Sequence, residues 1–187
     1  MGFYVIMDPN FEYAVNMVRF LDEHGYKGIA VYTEEYKYRI FKDLFAEAIG
    51  ECLADEYLLT EYDNLEALAD QIMQDFGDEV IDGIIPWDED SIELGASIGE
   101  LLELDWNPPE IIHCFRNKYA MKSFIRENTG IRINASAIVT SEEEVEEFVA
   151  SLDAWPVVVK PSEGSGSRGV FFAFSMSDLL EYCIDVF

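Results

Sequence analysis

Val157-Val158-Val159-Lys160-Pro161-Ser162-Glu163-Gly164-Ser165-Gly166-Ser167-Arg168-Gly169-Val170-Phe171-Phe172 sets a glycine-serine loop between two β-forming runs and frames it with cations. Glycines let backbone N–H groups come close to a ligand, the serines add hydroxyl donors, and Lys160 and Arg168 supply charge for phosphate oxygens. The pattern suits a nucleotide polyphosphate; a hairpin loop rich in turn residues is the plainer alternative. Gly164, Gly166 and Gly169 satisfy a dinucleotide-binding spacing, but that fingerprint must open a helix and here a strand follows. Gly164 and Gly169 also have P-loop spacing, but Val170-Phe171 stands where Lys-Ser/Thr is required. What is left is a loop between two antiparallel strands that can fold over phosphates, or an ordinary hairpin loop.

Around this loop the pattern predicts strands over 156–160 and 170–174, and a closing helix from Ser177. Upstream, it predicts a helix over 116–128 capped by Gly130, a strand over 135–139, and a helix from the Thr140/Ser141 cap to about Leu152. Glu142-Glu143-Glu144 falls in the first turn of that helix, where acids favour the positive end of the helix dipole, so the run reads as helix chemistry rather than a metal site. Asn107-Pro108-Pro109 interrupts helical continuity and marks a boundary between residues 1–107 and 108–187.

Residues 1–107 alternate strand and helix. Phe3 to Met7 is a short apolar run ending at Asp8-Pro9-Asn10, followed by helically spaced apolar residues up to a stop at His24-Gly25. Strands are expected at 28–32, near 57–59 and at 80–85, with helices over 36–49, 63–76 and 88–104. The alternation implies an α/β fold, a small and mostly parallel sheet with helices on its faces. Asp88-Glu89-Asp90 opens a helix just after a strand end, where open sheets place ligands, yet three acids at a helix N-terminus explain it as well.

The chain has 187 residues, half of them hydrophobic, and carries 38 acids against 12 bases for a net charge of −26. That apolar content supports a packed core, so the acidity does not signal disorder. A surface this negative repels a phosphate backbone and excludes a general nucleic-acid binder. No apolar run reaches the ~18 to 20 residues of a membrane span, and the N-terminus lacks a secretory signal pattern. Cys52, Cys114 and Cys183 form neither a disulfide framework nor a zinc motif, which implies reduced thiols in a cytoplasmic protein and makes the Asn134-Ala135-Ser136 sequon irrelevant. Acid-rich composition fits a halophilic host and an acidic mesophilic protein equally.

The charge is unevenly spread. Residues 1–110 hold 27 acids and 5 bases, whereas residues 111–187 hold 11 acids and 7 bases. Arg116, Lys118, Lys122, Arg126 and Arg132 face a single nearby acid, Glu127, and Lys160 and Arg168 follow. This cluster is either an anion site or a solvated helix face.

Phe115-Arg116-Asn117-Lys118-Tyr119-Ala120-Met121-Lys122, followed by Trp155-Pro156-Val157-Val158-Val159-Lys160-Pro161 and Gly164 to Val170, resembles the ATP-grasp superfamily, and within it the carboxylate–amine ligases, including amino-acid ligases and carnosine-synthase-like enzymes. The resemblance covers residues from about 82 to 187 by motif, and the earlier segment by its strand-helix pattern. It implies a pre-ATP-grasp-like α/β domain over 1–107 and an α+β first ATP-grasp subdomain over 108–187. Lys118 and Lys160 match the two family lysines that contact ATP phosphates. Ser162, Gly164, Ser165, Gly166, Ser167, Arg168 and Gly169 match the mobile loop that covers them. Arg116 stands at a motif position as a helix anchor.

The implied activity is ATP-dependent C–N bond formation between a small carboxylate and an amine through an acyl phosphate, with ATP and Mg as cofactors. In the family the Mg ligands and the adenine-holding strand come from a second ATP-grasp subdomain. The expectation is that this subdomain is absent here and that the chain alone is incomplete for catalysis. A non-catalytic interaction module, or one chain of a split ligase working with a second polypeptide or a homo-oligomer, is the other reading.

Overall fold

The computed structural model describes residues 1–9, 12–34, 38–40, 49–59, 64–87, 89–152, 154–164 and 166–184. The chain divides into two compact units, Met1–Ile112 and His113–Phe187.

The first unit is built on four parallel strands, β1 (Gly2–Met7), β2 (Tyr26–Tyr32), β3 (Leu53–Leu58) and β4 (Val80–Pro86), in the order β3-β2-β1-β4. Side chains alternate across a strand, so β1 and β2 feed two cores at once. Phe3, Val5, Met7, Ile29 and Val31 pack on one face with Leu68 and Ile72 of α2 (Leu65–Phe76) and Ile98 of α3 (Ile92–Leu101). Ile6, Ala30 and Tyr32 pack on the other face with Val15, Val18 and Leu21 of α1 (Glu12–Glu23). The small parallel sheet with flanking helices expected from the sequence is therefore present. Gly25, at φ 84°, closes α1 as its position implied.

Strand ends are knitted at the C-terminal edge of the sheet. Asp8 is fully buried with φ 49°, and its carboxylate accepts the Thr33 N–H at 2.8 Å and the Thr33 hydroxyl at 2.7 Å. The Asp8 N–H donates to the Val31 carbonyl at 2.8 Å, and the Leu59 N–H to the Tyr32 carbonyl at 2.8 Å. The expected helix over 36–49 lies mostly outside the described residues, as does Asp88. Glu89–Ser91 forms a 3₁₀ turn before α3, which begins later than expected.

Pro109 opens a helix, α4 (Pro109–Arg116), that runs through the division between the units. A proline at the first helical position loses no hydrogen bond, because that N–H has no partner in a helix. The long helix expected from Arg116 is α5 (Lys118–Asn128), separate from α4. It ends at Thr129, in an extended conformation with its N–H on the Ile125 carbonyl, and not at a left-handed Gly130. The strand expected over 135–139 does not form: residues 129–140 have no regular structure, and an extended segment becomes a strand only by pairing.

The rest of the second unit is α6 (Glu142–Leu152), β5 (Val157–Val159), β6 (Phe171–Ala173) and α7 (Met176–Ile184), with β5 and β6 antiparallel. Val145 and Val149 of α6, Ala173 of β6 and Leu179 of α7 form its core, with Val157 and Val159 against them. On the opposite face, Val158 pairs with Phe172, and both are exposed, as is Phe174.

Candidate functional site

The geometry begins at the N-cap of α5. Asn117 is extended, and its Oδ1 accepts the N–H groups of Tyr119 at 3.1 Å and Ala120 at 3.0 Å. Such a cap satisfies donors that the first helical turn leaves open. It also makes Lys118 the first helical residue. The Lys118 backbone N–H donates to the Ser162 carbonyl at 2.8 Å, and its ammonium donates to the Gly164 carbonyl at 2.9 Å. The Asn117 amide nitrogen donates to the Glu163 carboxylate at 3.0 Å. Three consecutive loop residues are thus held on the start of one helix.

Of the residues singled out in the sequence, Lys118, Ser162 and Gly164 meet directly. Lys160 is exposed at the end of β5, where the loop begins. Gly166, Ser167, Arg168 and Gly169 form the turn leading to β6, and Ser165 lies outside the described residues. The loop requires its glycines: Gly164, Gly166 and Gly169 have φ of 122°, 64° and 68°. At Gly169 a Cβ would stand 3.1 Å from Pro161 Cγ, so this glycine also permits a close approach at the loop base.

Lys122 stands near Lys118 on the same helix. It lies one helical turn after Lys118, and residues four apart share a helix face. Burial, then the charges of Lys160 and Arg126, hold its ammonium below the usual lysine range. Lys27 ion-pairs with Asp22. In a chain with 38 acids, Lys118, Lys122, Arg126 and Lys160 pair with none of the described carboxylates. The i, i+4 spacing from Lys118 was the sequence signal for Lys122.

Other features resolve structurally. The Ser141 hydroxyl caps α6 by accepting the Glu144 N–H at 3.3 Å, and the Glu144 carboxylate reaches back to the Thr140 N–H at 2.7 Å. Cys52 and Cys114 are free thiols, and burial, then Asp22, push the Cys52 thiol up, away from thiolate chemistry. Among the described residues no group of three or more His, Cys, Asp or Glu is arranged to hold a metal ion. No described helix is long and apolar enough to cross a membrane.

No family model matches the chain. It is 28% identical to dapdiamide A synthase of Enterobacter agglomerans over 119 residues, which are 63% of this chain and 27% of that protein. Its fold is similar to that of the L-amino acid ligase from Bacillus licheniformis, with a TM-score of 0.62 and 19% identity over 99% of this chain and 42% of that one. It is also similar to the biotin carboxylase domain of Hydrogenobacter thermophilus 2-oxoglutarate carboxylase, a dimer in complex with MgADP, ADP and bicarbonate, with a TM-score of 0.67 and 19% identity over 97% and 40%. A biotin carboxylase from Campylobacter jejuni, solved as a β-γ-ATP complex, gives 0.66 and 16% over 97% and 40%. The chain thus spans about a quarter of its curated relative and about two fifths of these structures. The chain is thus similar in sequence, over part of its length, to a dapdiamide synthase, and similar in fold to part of an L-amino acid ligase and of biotin carboxylases.

Proposed function

We propose that the second unit binds the phosphates of ATP for a carboxylate–amine ligase reaction. Lys118, Lys122 and Lys160 neutralise the triphosphate, and Ser162, Gly164, Ser165, Gly166, Ser167, Arg168 and Gly169 cover it with backbone and hydroxyl donors. In that reaction a substrate carboxylate oxygen attacks the γ-phosphorus, ADP leaves, and an amine nitrogen then attacks the acyl carbon and expels phosphate. The share of these residues is to position and neutralise the transferring group. Residues beyond this chain would supply the Mg ligands and the adenine wall, whether from the same polypeptide or a second one.

The observation that supports this reading is Lys118 meeting the loop at the Gly164 carbonyl, with Lys122 one turn on and the charges of Lys160 and Arg126 acting on it, none of the four pairing with a described carboxylate. Titration calorimetry with ATP and with tripolyphosphate tests it. Lys118→Ala with Lys160→Ala is expected to abolish measurable binding. Unchanged binding in the double variant overturns the assignment.

A second reading, a non-catalytic interaction module derived from the same fold, has one observation in its favour. Val158 and Phe172, paired across the β5–β6 hairpin, are exposed, as is Phe174 just past β6. Light scattering on wild-type chain and Phe172→Ser separates the two, because self-association through this face falls in the variant while phosphate binding does not.

A further inference from the structure

Asn117 divides its side chain between two tasks: its carbonyl oxygen caps α5, and its amide holds the loop through Glu163. The adjacent Lys118 engages the same loop twice, with its backbone N–H on Ser162 and its ammonium on Gly164. A neutral carbonyl is a weak partner for an ammonium compared with a phosphate oxygen. The Glu163 carboxylate, meanwhile, sits at the positive end of an 11-residue helix, where a ligand anion is also favoured. The loop therefore occupies, with its own oxygens, the donors that a phosphate would use.

We propose that the Asn117–Glu163 pair is a latch: it holds Ser162–Gly164 on the start of α5 in the nucleotide-free protein, and phosphate capture by Lys118 releases it. The release step rests on the phosphate-binding reading above, while the latch itself does not. Asn117 and Glu163 are thus positioning residues, setting how readily the loop leaves Lys118. The loop's glycines make release feasible, since Gly164, Gly166 and Gly169 are free to take other backbone conformations.

The test uses Asn117→Ser, because serine caps a helix about as well as asparagine, leaves the net charge unchanged and has no amide to reach Glu163. Hydrogen exchange on the ligand-free chain is expected to rise about tenfold at the amides of Gly164 and Gly166 to Gly169, with α5 itself unchanged. Exchanging the two groups, Asn117→Asp with Glu163→Gln, conserves charge and rebuilds the bond in reverse, and it is expected to restore protection to within about twofold of wild type. Tripolyphosphate is expected to bind Asn117→Ser about three- to tenfold more tightly than wild type. Loop exchange that stays at the wild-type level in Asn117→Ser overturns the latch, as does a swap variant that fails to restore protection while α5 remains intact. Wild-type chain that binds no tripolyphosphate overturns the phosphate-binding reading alone, and the exchange result still decides the latch.

Discussion

The ammonium of Lys118 donates to the carbonyl of Gly164 at 2.9 Å, across 46 positions of sequence. It is one of three contacts that join the start of the basic helix to the glycine-serine loop. Lys118→Met keeps the alkyl stem and removes the donors. Tripolyphosphate affinity is expected to fall at least about tenfold, roughly 1.4 kcal/mol, while the urea midpoint moves little because the contact is exposed. Calorimetry beside urea denaturation checks both halves.

Lys122 gives the site a pH signature. Its folded-state pKa is lowered by burial, Lys160 and Arg126, so the unfolded chain binds more protons between that value and the ordinary lysine value of 10.5. Stability should therefore rise with pH across that window and be flat below it. Lys122→Gln is expected to remove this slope, raise the neutral-pH urea midpoint at low salt, and weaken tripolyphosphate binding. A slope that survives in the variant would show that another group carries it.

In the first unit, Thr33→Val should be costly. It removes the hydroxyl that donates to the buried Asp8 carboxylate at 2.7 Å, and losing a hydrogen bond to a buried charged group costs about 2 kcal/mol. Thr33→Ser should retain most of the stability. Equal urea midpoints for the two variants would remove the hydroxyl from the account.

Two glycines separate conformational need from mere loop composition. Gly169→Ala places a Cβ 3.1 Å from Pro161 Cγ at φ 68°, and is expected to cost about 1 to 2 kcal/mol and to weaken tripolyphosphate binding. Gly130→Ala meets nothing within 4 Å and should be tolerated. Thermal melts of both variants, with and without tripolyphosphate, provide the comparison.

The parallel sheet was legible because β1, β2 and β4 are short apolar runs separated by helical spacing, and their burial on two faces leaves that pattern in the residues. β3 was only half legible: Leu53–Leu58 is an edge strand carrying Asp55 and Glu56, so its hydrophobic signal begins late. α4 escaped because Pro108-Pro109 reads as a break until Pro109 is seen to be the first residue of a helix. The strand expected over 135–139 failed for the converse reason, since local propensity cannot supply a pairing partner. At the site, Lys118 and the loop were legible as motifs. Their junction was not, because Asn117 and Glu163 are 46 positions apart and neither residue type signals the other.

The order β3-β2-β1-β4 also sets the sequence of assembly on a growing chain. β1 is the earliest strand synthesised, yet it pairs along Gly2–Met7 with both β2 and β4. Its second edge stays open until Val80–Pro86 has emerged, and closing so long a loop is entropically slower than pairing with β2. A nascent chain halted before Pro86 would present β1 with a bare hydrogen-bonding edge, the form of this protein most exposed to pairing with the wrong neighbour.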